Sequence, residues 1–295
     1  NQNLNAVEFF GKFQQGSFIL GKTKPNSKVK IDDKKIRVSK DGYFAFGLGR
    51  DRKNDVIVKV FTGNKTKIYE KKVFKRIMKT AVLFGSSGLI GSNLLDNLLN
   101  NNTYNKIKIF VRKLPSIDNS KVEVINTDFL DLDTLKEKLT GDDCFFCIGT
   151  THKDTPDKKE YRRIEYDLPV QLAKIAKFNS ISNFIYVSSI GANPKASSTY
   201  LKNKGQVEEE LKKIGFSNLS IIQPSFLVGN RKDFRIVEVL GIPVMKFLSL
   251  FFFGGFKKYT PIKVEIVVNA MIKLASGNNS EQTYLSDRLQ ELGSN

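Results

Sequence analysis

The stretch KTAVLFGSSGLIG, Lys79–Gly91, decides the fold of the larger part of this chain. An apolar run ends at the first of three glycines spaced three residues apart, and the helical pattern SNLLDNLLN follows them. A strand, a glycine turn and a helix N-terminus together form a cradle for a dinucleotide pyrophosphate, because unpaired N–H groups and a partial positive charge meet there. The residues assigned to this cradle are Gly85, Ser87, Gly88, Leu89, Ile90 and Gly91.

The chain from Met78 onward alternates short apolar strands with helices. Strands are predicted at Thr80–Phe84, Lys106–Val111, Val122–Asn126, Asp143–Ile148, Asn183–Ser188 and Leu219–Gln223. Helices are predicted between them, including Tyr161–Phe178 and Tyr200–Ile214. This alternation indicates an α/β domain, a doubly wound parallel sheet of the Rossmann type. It also supplies the context that the glycine motif requires, since glycine triplets occur in plain turns as well.

Residues up to about Lys75 follow a different pattern, with short alternating runs such as SFILG, SKVKI and DVIVKV. Turn signals such as Asp41-Gly42 and Gly63-Asn64 separate several of them. Short strands at this spacing predict a small all-β sandwich or barrel. We therefore predict two domains, an all-β domain over residues 1–77 and a Rossmann domain over residues 78–295.

The composition limits the classes of partner. The formal net charge of +18 comes mostly from lysines spread along the chain, without the compact basic and aromatic cluster of a strand-binding groove. We therefore expect no dedicated nucleic-acid partner. No apolar run reaches the roughly 18 residues of a membrane span, so no span is expected.

Neither metal binding nor disulfide chemistry is expected. His152 is the only histidine, which argues against a zinc site, and it is assigned no role. Cys144 and Cys147 lie in the strand-like run CFFCIG. Because residues three apart on a strand point to opposite faces, these two cysteines are predicted to pack in the core rather than to pair.

The ends of the next predicted strands add candidate cofactor contacts. Arg112 and Lys113 end the second strand, about 20 residues past the last glycine, where an acid would bind the ribose of NAD and a base a 2′-phosphate. These bases favour NADP over NAD, the alternative being an ordinary pair of surface charges. Asp128 and Phe129 are predicted to flank the adenine. Gly149 and Thr150, at the fourth strand's end, would approach the cofactor and bond its ribose or phosphate.

A serine, a tyrosine and a lysine complete the candidate catalytic set. The fifth strand ends Val187-Ser188-Ser189, and Tyr200 and Lys204 follow within YLKNK. Positions i and i+4 share a helix face, and a neighbouring ammonium lowers the pKa of a phenol from its usual value of about 10. A serine hydroxyl would hold a carbonyl, and Tyr200 would protonate its oxygen as a nicotinamide delivers hydride. The alternative is an exposed helix with an unremarkable tyrosine and lysine.

Six motifs carry a family resemblance: GSSGLIG, FVRK, CIGTT, FIYVSSIGAN, YLKNKGQVEEEL and IIQPSFLVGNR. With them, residues 78–295 resemble an atypical short-chain dehydrogenase/reductase, nearest to the Tat-interacting oxidoreductase-like proteins and their bacterial relatives. The resemblance implies Ser189, or else Ser188, as catalytic serine, with Tyr200 and with Lys204, which also contacts the cofactor. Where the family usually has Arg-Pro-Gly beside the nicotinamide, this chain has Gln223-Pro224-Ser225, and Pro224 is the position carried over.

Residues 8–75 resemble another module, the β domain that precedes the catalytic domain of some lysostaphin-type zinc metallopeptidases. With one histidine in the chain, peptidase activity is not carried over. The relatives of this module work in the cell envelope, whereas NADPH is a cytoplasmic cofactor, so the Rossmann domain is expected in the cytoplasm and a periplasmic or envelope location is the minority interpretation. Met78 stands where an independent reductase would begin. One hypothesis is therefore that gene fusion, a frameshift or an assembly error joined the two halves.

Three functions compete at this point. The first is an NADP-dependent oxidoreductase acting on a carbonyl or alcohol of a small-molecule substrate. The second is an NADP(H)-binding regulatory or assembly protein with little or no turnover, and the third is an envelope module carrying a cofactor-binding domain. The aromatic segment Phe234–Phe256 is expected to be core, with a substrate lid or a homodimer face as alternatives.

Overall fold

Two units make up the chain, and the boundary between them falls between Ile77 and Met78. The structure, a computed structural model, describes residues 7–49, 52–75, 78–228, 259–277, 279 and 282–294. The aromatic segment Phe234–Phe256 therefore lies outside the described residues.

The first unit consists of β-strands. They are β1 (Glu8–Phe10), β2 (Phe18–Lys22), β3 (Lys28–Ile31), β4 (Lys34–Ile36), β5 (Tyr43–Gly47), β6 (Val56–Thr62) and β7 (Lys65–Lys71). Three strands form one sheet in the order β1-β2-β5, and four form a second in the order β4-β3-β6-β7. The strand pairings within these two sheets are antiparallel. The prediction of an all-β region is confirmed, and β1 is a strand that the sequence pattern did not reveal.

Buried and exposed side chains alternate along these strands, and the buried ones from both sheets form one core. In β6, Val56, Val58 and Val60 are buried while Ile57 between them is exposed. They pack in one cluster with Phe44 of β5 and with residues of β2 and β3. A period of two is what one buried face of an antiparallel sheet requires.

The second unit is built on a parallel sheet. Its strands are β8 (Lys79–Phe84), β9 (Tyr104–Val111), β10 (Val122–Asn126), β11 (Asp143–Phe146), β12 (Asn183–Val187), β13 (Asn218–Gln223), β14 (Leu227–Val228), β15 (Ile262–Lys263) and β16 (Thr283–Leu285). Seven of them form one sheet in the order β10-β9-β8-β11-β12-β13-β16, and every pairing is parallel. Strands β14 and β15 pair separately. The predicted Rossmann-type sheet is confirmed.

Helices pack on the sheet of this unit. They are α1 (Leu89–Asn100), α2 (Lys158–Arg162), α3 (Leu168–Phe178), α4 (Thr199–Ile214), α5 (Val264–Leu274) and α6 (Ser286–Gly293). A single π-helical turn, Arg163–Asp167, joins α2 to α3. Among the described residues, no helix combines the length and apolar character that a membrane crossing needs.

Apolar side chains cover both faces of the sheet, as strand β8 shows. Ala81 and Leu83 enter one apolar cluster, whereas Val82 and Phe84 enter another on the opposite face. A strand buried on both faces reads as a continuous apolar run. Cys144 belongs to the second cluster and the side chain of Cys147 packs against the first, and both are free thiols. The predicted opposite orientation of the two cysteines is confirmed.

The strand order reverses between β8 and β11. Strands β9 and β10 lie on one side of β8, and β11, β12, β13 and β16 follow on the other. In a doubly wound sheet, the crevice at the carboxyl ends beside this reversal is where ligands bind. The fold thus brings the glycine turn after Phe84 next to the segment after Phe146.

Candidate functional site

The glycine turn is tight enough to exclude side chains. Gly85 has φ +84°, and a Cβ placed on it would lie 2.7 Å from the carbonyl carbon of Cys147. A Cβ on Gly91 would lie 2.0 Å from the carbonyl oxygen of Gly85. The first glycine therefore permits the turn, and the last lets α1 pack closely against it.

The N-terminus of α1 has the features of an anion cradle. Gly88 occupies the N-cap with no side-chain hydrogen bond, and the first turn holds no acidic residue. The N–H of Gly88 donates to the carbonyl of Gly85 over 3.0 Å, which closes the turn. The N–H groups of the first helical turn and the partial positive charge there suit a phosphate. The predicted turn residues therefore fit the pyrophosphate of a dinucleotide.

The part of the crevice predicted to receive an adenine carries exposed charged side chains. Arg112 and Lys113 follow β9 with exposed side chains, and Asp128 is exposed after β10. Phe129 differs from the expectation: its φ is +61°, and its buried ring lies 6.2 Å from the ring of Phe84. Because the ring belongs to the core, Phe129 can border an adenine only through its backbone.

Arg163, on the π turn, also reaches Phe129 and was not predicted. It donates to the carbonyl oxygen of Phe129 over 3.0 Å and makes two hydrogen bonds to the carboxylate of Glu160, of 2.7 and 2.8 Å. The hydrogen bonds and charge of Arg163, and after them the charge of Arg112, hold the pKa of Glu160 below its usual value against the opposing effect of burial. Arg112 is therefore exposed and close enough to Glu160 for their charges to interact.

The segment that follows β11 contacts the buried carboxylate of Glu165 through Thr150. The Thr150 N–H donates to Oε1 of Glu165 over 2.5 Å, and its hydroxyl lies 2.8 Å from that of Thr155. A Cβ on exposed Gly149 would lie 3.4 Å from the same Glu165 oxygen. The Gly149-Thr150 backbone thus rests directly on a buried carboxylate.

The two candidate serines at the end of β12 have different environments. Ser188 is buried and donates to the carboxylate of Glu208, which also accepts a 2.8 Å hydrogen bond from the side-chain amide of Gln223. The Ser189 hydroxyl is half-buried and makes a long 3.4 Å hydrogen bond to the carbonyl of Ile190. Ser189 is therefore the serine with a hydroxyl available to a ligand.

Lys204 is buried at the centre of the site. Its side chain is 4% exposed, and Nζ lies 3.2 Å from Oε2 of Glu165 and donates to the carbonyl of Val187 over 3.3 Å. Burial alone would lower the pKa of Lys204, but Glu165, followed by Tyr186 and Tyr200, raises it well above its ordinary value. Lys204 is thus an ammonium at physiological pH.

Tyr200 lies in the first turn of α4, one helical turn before Lys204. The lysine Nζ is 5.9 Å from the centre of the half-buried Tyr200 ring and 5.0 Å from that of Tyr186. The structure therefore brings Tyr200 and Lys204 together on one helix face beside the end of β12, as their spacing predicts. Pro224, buried after β13, accepts a 3.1 Å hydrogen bond from the N–H of Ile190 and ties two strand ends together.

His152 and Tyr161 form an aromatic pair near this site. Their rings stack with centroids 3.9 Å apart and an angle of 14° between the planes. Burial first, then the charges of Glu165 and Tyr200, raise the pKa of the Tyr161 phenol. His152 therefore covers a tyrosine beside the candidate catalytic residues, an arrangement that sequence reasoning missed. Within the described part of the chain, no cluster of three or more His, Cys, Asp or Glu could hold a metal ion.

Glu165 is the most informative of the missed residues. The signal was present: Tyr161, Ile164, Glu165 and Leu168 follow the i, i+3, i+4, i+7 spacing of a buried helix face. A carboxylate on that stripe needs a buried partner.

A sequence comparison identifies the family of the chain that carries this site. The family model described as NAD(P)H-binding matches residues 85–240. The chain belongs to this NAD(P)H-binding family. Rat protein HTATIP2 is 27% identical over 208 residues, covering 69% of this chain and 86% of its own length. Protein FMP52-1, mitochondrial, of Scheffersomyces stipitis is 31% identical over 173 residues, covering 57% of this chain and 76% of its own. These relatives confirm the resemblance to the atypical short-chain dehydrogenases/reductases.

Solved structures support the fold. The Bordetella bronchiseptica enzyme WbmH, in complex with NAD⁺, superposes with a TM-score of 0.55 at 16% identity, covering 70% of this chain and 75% of that one. A UDP-N-acetylglucosamine 4-epimerase from Methanobrevibacter ruminantium gives 0.51 at 22% identity, covering 68% and 74%. At this identity the similarity establishes the architecture and leaves the reaction to the site itself. The resemblance of residues 8–75 to a peptidase module stays a prediction.

Proposed function

We propose that the protein is an NADP-dependent oxidoreductase acting on a carbonyl or alcohol group of a small molecule. The observation that carries this proposal is the buried Lys204 ammonium, one helical turn from Tyr200 and hydrogen-bonded to the end of β12. A buried charge is costly unless it has a task or a partner. Here it stands beside a phenol, at the carboxyl edge that also carries the glycine cradle.

Each side chain has a role that its position allows. When bound, a nicotinamide cofactor supplies or accepts a hydride. Ser189 Oγ would hold the substrate oxygen by a hydrogen bond, and the Tyr200 hydroxyl would donate its proton to that oxygen during reduction. The Lys204 ammonium would stabilise the phenolate that remains. Alcohol oxidation uses the same groups in reverse, with Tyr200 accepting the proton.

The preference for NADP rests on Arg112 and Lys113. Both side chains are exposed directly after β9, the position at which a dinucleotide fold meets the adenosine ribose. A guanidinium binds a 2′-phosphate through two hydrogen bonds and stacks on adenine. We expect Arg112→Ala to weaken NADPH binding by about 10- to 100-fold, as losing a charge-assisted hydrogen-bond pair of roughly 1.5–3 kcal/mol implies. NADH binding should change much less.

Calorimetric titration of the purified protein with NADPH and NADH tests this cofactor assignment. NADPH should bind more tightly than NADH, and the difference should shrink in Arg112→Ala. Lys113→Ala should reduce the difference less, because an ammonium is a point charge and does not bind a phosphate through two parallel hydrogen bonds. Absence of binding by either nucleotide would reject the proposed function, and tighter binding of NADH would reject the NADP preference.

An NADP(H)-binding protein with little turnover is the second candidate. One observation favours it: the Lys204 charge already has a counter-ion, since Glu165 Oε2 lies 3.2 Å from Nζ. Replacing Tyr200 by Phe separates the two functions. If NADPH oxidation with a panel of small aldehydes and ketones falls at least about 100-fold in Tyr200→Phe while NADPH affinity is kept, the enzyme proposal stands. Turnover that persists undiminished would show that Tyr200 is not catalytic.

A further inference from the structure

The carboxylate of Glu165 contacts two parts of the candidate site, the backbone of Thr150 and the side chain of Lys204. Glu165 is 1% exposed. Oε1 accepts the backbone N–H of Thr150 at the cofactor side, and Oε2 pairs with Nζ of Lys204 at the chemical side. Oε2 makes no hydrogen bond of standard geometry within the described structure, so its partner is the ammonium charge.

Helix geometry explains how Glu165 reaches that place. It lies in the π-helical turn Arg163–Asp167, between α2 and α3. A π turn inserts a residue into a helix and re-aims the side chains on it, and such turns occur frequently at functional sites. On the same turn, Arg163 faces Phe129 at the adenine end. The turn therefore serves both ends of the cofactor crevice.

We propose that Glu165 is a positioning residue, which holds Lys204 as an oriented ammonium and ties it to the cofactor-facing backbone at Thr150. This inference rests on the proposed oxidoreductase function and extends it to a residue that contacts neither substrate nor cofactor. Glu165 stabilises the protonated form of Lys204, and the Lys204 ammonium in turn stabilises the Tyr200 phenolate.

Loss of the Glu165 charge is expected to lower the pKa of Lys204. The groups that face Lys204 from its surroundings are Glu165, Tyr161, Tyr186, Tyr200, Glu208 and Cys147. Burial is the largest influence on Lys204 and lowers its pKa, and Glu165 is the first of those that raise it. Without the carboxylate, desolvation would dominate and Lys204 would lose its proton at a lower pH.

Glu165→Gln isolates the charge. A carboxamide oxygen can still accept the Thr150 N–H, but it carries no charge to pair with Lys204. We expect the pH profile of NADPH-dependent reduction in Glu165→Gln to gain a new limb, with activity lost at a lower pH than in the wild type. In the wild type the Glu165 carboxylate keeps Lys204 charged, so activity should persist to a higher pH than in Glu165→Gln. A carboxylate needed only for packing would lower activity by the same factor at every pH.

Two further variants complete the experiment. Glu165→Asp should restore part of the wild-type pH profile, since it keeps the charge. Lys204→Met removes the ammonium, and Glu165→Gln combined with Lys204→Met should be no less active and no less stable to urea than Lys204→Met alone, because the two residues act as one unit. The urea measurement needs no cofactor and remains informative if a variant has no activity.

The outcomes are distinct. A new limb in Glu165→Gln together with non-additivity supports the inference. A wild type that binds NADPH and turns over, with a Glu165→Gln variant of the same pH profile, overturns the inference and leaves the proposed function in place. A wild type that binds no NADPH in calorimetry overturns both. Coupling in urea without any effect on the pH profile or NADPH affinity would make the pair purely structural, and this too overturns the positioning role.

Discussion

Ser188 and Ser189 are neighbours in sequence and lie in different environments. Ser188 is buried against Glu208, whereas the Ser189 hydroxyl makes a long 3.4 Å hydrogen bond to a backbone carbonyl. We expect Ser189→Ala to lower kcat by about 100-fold, similar to the loss of one oxyanion-stabilising donor, with unchanged stability. Steady-state kinetics and urea unfolding of the purified variants measure the two effects.

Ser188→Ala is the matched control for that prediction. It leaves the Glu208 carboxylate with the amide of Gln223 and should cost about 1–3 kcal/mol of the free energy of unfolding. Its kcat should stay within a few-fold of the wild type. A large kcat loss in Ser188→Ala with little in Ser189→Ala would reverse the assignment of the catalytic serine.

Glu208 makes a pH-dependent contribution to stability. Burial raises its pKa, and the hydrogen bonds from Ser188 and Gln223 oppose this only in part. The unfolded chain therefore releases this proton at a lower pH than the native protein does. The sign follows: as pH rises past the ordinary glutamate value of about 4.3, the stability gained from this group is lost.

Glu208→Gln tests that sign, because an amide does not titrate. The free energy of unfolding of the wild type minus that of Glu208→Gln should decrease as pH rises from 4 to 7, by urea denaturation at each pH. A difference that stays constant, or that grows with pH, would contradict the effect of burial on this carboxyl.

At the scale of elements, two glycines of the same turn are expected to have different roles: Gly91 in the packing of α1 and Gly88 in cofactor binding. A Cβ on Gly91 would meet the Gly85 carbonyl oxygen at 2.0 Å, whereas one on Gly88 would meet the same oxygen at 3.3 Å. Gly91→Ala should therefore push α1 away from β8 and cost several kcal/mol of the free energy of unfolding, about the size of strong overpacking. Thermal unfolding followed by circular dichroism measures this loss.

Gly88→Ala is the companion variant. Gly88 has φ −77°, which any residue adopts, so the variant should lose much less stability than Gly91→Ala. Its added methyl group would stand where a phosphate approaches the helix N-terminus, and NADPH affinity should fall by about tenfold or more. Wild-type NADPH affinity in Gly88→Ala would argue against a pyrophosphate at this turn.

Local patterns predicted most of these elements because the signals lie within single elements. The apolar run Thr80–Phe84 and the glycines after it belong to β8 and the turn, and YLKNK belongs to the N-terminal part of α4. What the sequence pattern could not show depends on contacts between distant elements. Glu165 meets Lys204 only after two helices pack on the sheet, and the ring of Phe129 turns into the core because its backbone adopts a left-handed conformation.

At the scale of the whole molecule, we propose that the units on either side of Met78 fold independently. Each has its own apolar clusters: one within the β-strand unit, and one on each face of the parallel sheet in the other. A small domain buries a smaller share of its surface and is less stable than a large one. The β-strand unit is therefore expected to unfold first.

A fragment of residues 78–295 tests this division most directly. It contains the cradle, Arg112, Tyr200 and Lys204, so it should bind NADPH with a Kd within about threefold of that of the full chain, a difference below 1 kcal/mol. The full chain should show two urea transitions, and the later one should match the single transition of the fragment, with the steeper slope that the larger exposed surface gives. Circular dichroism and fluorescence report both. A fragment that aggregates, or that loses more than tenfold in NADPH affinity, would show that residues 1–77 support the cofactor site and that the two units form one cooperative structure.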